Sequence, residues 1–232
     1  MTFTQGLGIV LGTNIGTTFT IQLIAFDLTG ISPWLIIGGV ILWWLPPFPR
    51  AKALGQATIG LGLVFFGLTI LESAFQPQCN SKFIITLLQT LGNDYLLAMI
   101  IGILITGLLQ SSSVVLGLTL ILAQHSMVTL PCAIAIMLGS NLGTCITALL
   151  AAIGSNLEAR RIALAHVMLN AFGAIAFFPF IDFFAQILMF TSSDMPRQIA
   201  NGHTIYNIVC SAAALPFIRQ FASLIYRLLP NR

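Results

Sequence analysis

Charge is what this sequence has least of. Lysine and arginine together number 9 and aspartate and glutamate 6 in 232 residues, so only 6% of the chain is charged, where soluble domains carry about a quarter. A large soluble domain is thereby excluded, and so is a nucleic-acid-binding patch, because the net charge of +3 comes from a few basic residues at segment ends. Cysteine is sparse and scattered: Cys79, Cys132, Cys145 and Cys210 form no C-x-x-C pair and have no histidine or carboxylate at ligand spacing. They read as plain thiols, with no transition-metal site. The first twenty residues lack a basic leader and a cleavage site after a clean apolar stretch, so they read as membrane machinery and not as a signal peptide.

What fills the chain instead is apolar: 57% of residues are hydrophobic and the mean hydropathy is +0.99. The bilayer is the solvent this composition suits. A hydrocarbon core of about 30 Å needs roughly 20 apolar residues per helix, and the apolar segments lie near 6–26, 31–46, 55–75, 94–109, 112–125, 131–153, 161–190 and 203–229. The expectation is a single all-α integral membrane domain over 1–232, multi-pass in the cell membrane. Segments 31–46 and 94–109 reach only about 24 Å at 1.5 Å per residue, which predicts re-entrant or broken helices shielded by protein. Arg50 with Lys52, Arg160 with Arg161, and Arg227 with Arg232 mark cytoplasmic ends, whereas Asp27 and the loop from Gln76 to Asp94 should lie outside, with Lys82 dissenting.

Self-similarity is present. Gly12-Thr-Asn-Ile-Gly-Thr-Thr-Phe-Thr20 aligns without gaps on Gly139-Ser-Asn-Leu-Gly-Thr-Cys-Ile-Thr147, in segments that the basic anchors orient oppositely, as in the inverted repeats of secondary transporters. The glycines are expected to let the backbone unwind toward a ligand, and asparagine and threonine supply neutral polar atoms where charge is costly. Small-residue helix packing is the structural alternative. A second constellation, Gln110-Ser-Ser-Ser113, opens directly into the apolar run from Val114. If it begins a half-helix, its hydroxyls and free N–H groups converge with the positive end of the helix dipole, an anion site without a cation. Gln110 would offer its carbonyl to a hard monovalent cation. A plain N-cap is the simpler reading.

Together these motifs resemble the sodium/phosphate cotransporter family, whose members carry a Gln-Ser-Ser-Ser motif followed by a Gly-x-Asn-x-Gly-Thr motif in each of two inverted repeats. The resemblance implies an inverted-repeat helical transporter bundle with re-entrant helices: an incomplete first repeat over 1–75, a second over 94–190, and a C-terminal helical region over 196–232. Carried onto this sequence, it implies phosphate contacts from Ser111, Ser112, Ser113, Thr144 and Thr147, and sodium contacts from Gln110, Ser140 and Asn141. Thr13, Asn14, Thr17 and Thr18 would face them from the other repeat. Cys145 stands where the first copy has Thr18, which removes a hard oxygen. Gln110 precedes Gly139 by 29 residues, so the equivalent of Gln110 in the first repeat would precede Met1. The expectation is a first repeat shortened at its start.

Sodium is the expected coupling ion and inorganic phosphate the cargo, with no cofactor. The residue chemistry alone would also admit sulfate, arsenate or a small carboxylate, and a shortened first repeat would suit a non-transporting membrane subunit. An intramembrane enzyme is disfavoured because the serines have no positioned histidine or lysine base. His166 with Asn170 and His203 with Asn207 share the spacing His-x-x-x-Asn, which puts each pair on one helix face and is read as scaffold hydrogen bonding rather than a proton relay. Glu72 and Asp182 are expected at the outer interface. Trp34, Trp43 and Trp44 fit an interfacial belt, and the Phe-rich stretch 172–190 fits lipid-facing or core packing.

Overall fold

A computed structural model describes residues 3–26, 29–45, 49–77 and 81–230; Asp27, Cys79 and Arg232 lie outside them. The described residues form eleven α-helices with short 3₁₀ turns and no strand. Five helical spans are long and apolar enough to cross a membrane, or six when one bent pair is counted as a single span. The expected all-α membrane architecture is thus what the chain adopts.

The chain forms two compact units. Leu23–Ile85 is one of them, built around α2 (Ser32–Trp44) and α3 (Pro49–Phe75). These two helices pack as an antiparallel pair through glycines. A Cβ on Gly55 would lie 2.6 Å from the backbone nitrogen of Trp43, and one on Gly39 would lie 2.9 Å from the carbonyl oxygen of Gly55. The backbones therefore approach as closely as small residues allow. Trp34, Trp43 and Trp44 stay exposed on α2, as side chains facing lipid or its interface would be.

The second unit comprises Met1–Gln22 and Thr86–Arg232. It contains α1 (Phe3–Ile24), most of α4 (Lys82–Asn93), α5 (Tyr95–Leu109), α6 (Ser112–Gln124), α7 (Leu130–Ala152), α8 (Leu157–Phe177), α9 (Ile181–Met189), α10 (Met195–Ala214) and α11 (Ile218–Leu228). Side-chain caps set several starts. Asp94 accepts from the Leu97 amide at 2.9 Å, Asn156 from Ala159 at 3.0 Å and Asp194 from Arg197 at 3.3 Å, each satisfying a first-turn donor that no helical carbonyl can reach. Prolines set the breaks. Pro179 and Pro216 sit in the 3₁₀ turns Phe178–Phe180 and Leu215–Phe217, where the missing N–H interrupts the ladder.

One expectation is corrected here. The stretch before Asp94, read as an outside loop, contains the helix α4, which meets α5 at a bend of 118°. The apolar run 161–190 falls within one span, Leu157–Met189, in which a 3₁₀ turn at Phe178–Phe180 puts Asp182 in the first turn of α9. Its carboxylate accepts a hydrogen bond from the Tyr95 hydroxyl at 2.9 Å.

Side-chain packing fixes helix directions within this unit. Phe3 and Leu7 of α1 cluster with Ala165 of α8 and Ile225 of α11, and Val10 and Leu11 cluster with Leu169. So α1 and α8 run in the same direction. The short turn after α7 sends α8 back along it, and Asn170 reaches Cys145 at 3.4 Å. Consequently α1 and α7, the two helices that carry the repeated motif, run in opposite directions.

At the end of the unit where α1 starts, Arg161 is buried. It donates to the Leu229 carbonyl from Nε at 3.0 Å and Nη2 at 2.7 Å, pairs with Glu158 at 2.7 Å and lies 4.5 Å over the Tyr226 ring. Phe3 meets the same ring edge-on at 5.2 Å. The starts of α1 and α8 and the end of α11 are thereby tied together around one cation. Arg160 and Arg227 adjoin this cluster in sequence, in keeping with the common basic end expected for these segments.

Candidate functional site

At 1.5 Å per residue α5 and α6 are about 22 Å and 20 Å long, short of the roughly 30 Å a span needs. They form a hairpin whose tip is Gln110 and Ser111. Gln110 takes the left-handed conformation at φ 54°, uncommon for a residue with a Cβ and a mark of a constrained turn. Ser111 then caps α6, its Oγ accepting from the Val114 amide at 3.4 Å. The N-cap reading therefore holds for Ser111. Ser112 and Ser113 occupy the first turn of α6, half-buried, where backbone N–H groups lack intrahelical acceptors and the dipole is positive.

Helix α7 holds this hairpin closely. A Cβ on Gly102 would lie 2.5 Å from the Ile136 carbonyl oxygen, one on Gly143 would lie 2.7 Å from the Ile103 carbonyl oxygen, and one on Gly139 would collide with the Met99 carbonyl oxygen. The glycines of the second motif copy thus serve helix packing. Unwinding at these glycines is not observed, because α7 is continuous over Leu130–Ala152 and α1 over Phe3–Ile24. The first copy differs in its surroundings. A Cβ on Gly12 or Gly16 would meet nothing within 4 Å.

Polar atoms follow the same division. Thr106 of α5 and Ser140 of α7 are both fully buried, and the Thr106 hydroxyl donates to Ser140 Oγ at 2.9 Å. Thr144 donates to the Ser140 carbonyl at 2.9 Å and Thr147 to the Thr144 carbonyl at 2.7 Å. Each threonine oxygen keeps lone pairs for a cation, while its proton is occupied in the helix. Asn141 Oδ1 lies 3.1 Å from His203 Nε2 on α10. Asn141 Nδ2 and His203 Nδ1 are buried without partners. Cys145 donates to the His166 carbonyl at 3.5 Å, so this thiol joins α7 to α8.

The candidate residues thus fall into two groups. Gln110, Ser111, Ser112, Ser113, Ser140, Asn141, Thr144 and Thr147 all belong to the α5–α6 hairpin and the helix packed against it. Thr13, Asn14, Thr17 and Thr18 lie on α1, where Thr13, Thr17 and Thr18 donate to carbonyls of their own helix at 3.0, 2.9 and 2.7 Å. Between these groups runs α10. Through one face it meets α1, with Gln22 donating to Asn201 at 3.0 Å and to Thr204 at 2.9 Å, and Ser211 donating to the Leu11 carbonyl at 3.3 Å; through His203 it meets α7.

Thr106 and His203 were not among the sequence candidates for the ion site. Thr106 precedes Gln110 by four residues, one helical turn, a spacing that connects it to the motif. His203 lies 62 residues from Asn141, and nothing local in the sequence signals their pairing. The shared His-x-x-x-Asn spacing has a common structural use: Asn170 donates to the His166 carbonyl at 3.1 Å and Asn207 to the His203 carbonyl at 2.9 Å. Among the described residues no group of three His, Cys, Asp or Glu is placed to hold a metal.

A short-helix hairpin with a polar tip, beside one of two oppositely running copies of the same motif, is a pattern found in secondary transporters. The chain matches the Na+/Pi-cotransporter family over residues 1–73 and 74–215, and it belongs to that family. It is 33% identical over 181 residues to the uncharacterized protein YqeW of Bacillus subtilis, covering 78% of this chain and 59% of that one. It is 32% identical over 182 residues to the Escherichia coli protein named "Putative inorganic phosphate export protein YjbB", covering 78% of this chain and 34% of that one. To the human sodium-dependent phosphate transport protein 2B it is 33% identical over 119 residues, 47% of this chain and 17% of that one. The aligned part is thus about three fifths of the first relative and a third of the second. No solved structure matches the chain.

Proposed function

We propose that the chain carries a sodium-coupled phosphate site and moves both ions across the membrane by alternating access. The observation that carries this reading is the Gln110–Ser113 tip. The tip combines a helix N-terminus with three serines, on a hairpin whose α5 arm packs against the motif helix α7 at Gly139, Ser140 and Gly143, in a member of the Na+/Pi-cotransporter family. The first-turn N–H groups of α6 and the hydroxyls of Ser112 and Ser113 supply donors to phosphate oxygens, with the dipole behind them. Hydroxyl and carbonyl oxygens of Gln110 and Ser140 supply hard acceptors for sodium, and Thr144 and Thr147, expected by resemblance to contact phosphate, are assigned to sodium in this proposal because their hydroxyl protons are held by helix carbonyls. Charge is then balanced by the co-ion, and no fixed cation has to be buried.

In this proposal α1 contributes Thr13, Asn14, Thr17 and Thr18 from the other repeat, and rocking of one repeat against the other exposes the site to each side in turn. The direct test is uptake of labelled phosphate into proteoliposomes with and without a sodium gradient, for this chain and for a version extended upstream by a second Gln-Ser-Ser-Ser hairpin. Sodium-dependent uptake by either supports the reading. Absence of phosphate transport by both, with correct insertion, overturns it.

A further inference from the structure

Asn141 and His203 meet across α7 and α10 in a buried contact where each partner has one polar atom unmatched. Asn141 is 6% exposed and His203 1%, and the Oδ1–Nε2 separation is 3.1 Å. The unmatched atoms are Asn141 Nδ2 and His203 Nδ1. A buried polar atom without a partner is costly, and two on one contact call for an explanation. The surroundings sharpen it, since Asn141 follows Ser140, which is bonded to the hairpin arm through Thr106, and precedes Thr144 by one turn.

An asparagine amide has a donor end and an acceptor end, and in an ion site the choice between them is a choice of charge. A free Oδ1 suits a cation, and a free Nδ2 suits an anion. The end left free is decided by what holds the other. A neutral imidazole with its proton on Nε2 donates to Oδ1 and leaves Nδ2 available, whereas the opposite tautomer accepts from Nδ2 and leaves Oδ1 available.

We propose that His203 is a positioning residue that holds Asn141 by its Oδ1 through Nε2–H and so turns the Asn141 Nδ2 donor toward the transported oxyanion. Asn141 then belongs to the phosphate half of the site, and its family-based sodium role is reassigned. The orphaned Nδ2 is a donor waiting for an oxyanion oxygen. This rests on the phosphate-transport reading above for the identity of the anion; the His203–Asn141 bond itself does not.

The test has two arms. In the first, ¹⁵N-histidine-labelled full chain in lipid nanodiscs is examined by NMR, with the His203 signal assigned by its loss in His203→Gln. The expected result is a neutral ring protonated at Nε2 whose signal shifts in Asn141→Ala. A ring protonated at Nδ1 overturns the proposal whatever the transport result. In the second arm, wild type and variants in proteoliposomes are compared for half-saturation by phosphate and by sodium. His203→Ala should weaken phosphate half-saturation about tenfold, the equivalent of about 1.4 kcal/mol, with sodium half-saturation unchanged. His203→Gln, whose terminal amide can donate to Oδ1, should stay within about twofold of wild type. A change confined to sodium, or equal loss in both variants, overturns the positioning role. If wild type moves no phosphate, that arm overturns both the transport reading and the assignment of the anion, while the first arm still decides the bond.

Discussion

Thr106 and Ser140, both fully buried, share a 2.9 Å hydrogen bond between α5 and α7, four residues before the polar tip and one residue before the motif asparagine. It fixes how far along α7 the arm of the hairpin sits. Thr106→Val keeps the shape and removes the donor, leaving Ser140 Oγ without this partner. The expected cost is about 1–2 kcal/mol, visible as lowered thermal stability in detergent. Unchanged stability would mean that glycine packing alone sets the register.

The two motif copies should respond differently to the same substitution. Gly139→Ala places a methyl on the Met99 carbonyl oxygen, and Gly12→Ala places one in open space. Overpacking costs about 1–3 kcal/mol, whereas alanine in an open helical position gains up to about 1 kcal/mol over glycine. Thermal unfolding of the two variants should therefore shift in opposite directions; equal losses would contradict the packing described for α5 and α7.

Removing Arg161 should loosen the C-terminal helix before anything else. Arg161→Ala deletes both hydrogen bonds to Leu229 and the stacking on Tyr226, and leaves Glu158 without its ion pair. The expected loss is about 1–3 kcal/mol, that of charged hydrogen bonds, with hydrogen exchange rising first in Ile218–Leu228. Exchange that rises uniformly across the unit would show that Arg161 holds the whole unit and not this end.

For transport, Ser112→Ala and Thr144→Ala are each expected to reduce sodium-dependent phosphate uptake by at least about tenfold, the effect of losing roughly one good hydrogen bond. Membrane insertion should be unaffected, because neither side chain anchors a helix in the packing described. Full uptake by both variants would remove these residues from the site.

Much of this architecture was legible in the sequence because membrane solvation imposes it. Apolar segments 94–109 and 112–125 anticipated α5 and α6 closely, and basic anchors gave the opposite directions of α1 and α7. Interruptions were harder to read. Phe178–Phe180 is as apolar as the helices it divides, so hydropathy could not separate them even though Pro179 marks the break. The helix Lys82–Asn93 was hidden by its polar residues, which resemble a loop when apolarity is the measure. At the site, the role of Gly139 and Gly143 became visible only once α5 was placed against them, since a glycine that unwinds and a glycine that admits a neighbour look identical in sequence. The His203 partnership required the fold, because it joins segments 62 positions apart.

The unequal dressing of the two glycine pairs has a mechanical consequence. Where α5 and α7 touch, backbone meets backbone, and sliding one past the other would drive carbonyl oxygens into Cα atoms, so that junction is stiff in shear. Where α1 meets α10, amide and hydroxyl tips of Gln22, Asn201 and Thr204 make the connection, and such tips can exchange partners over a short stroke. The stiff junction carries the polar tip, and the compliant one joins the first motif copy to α10.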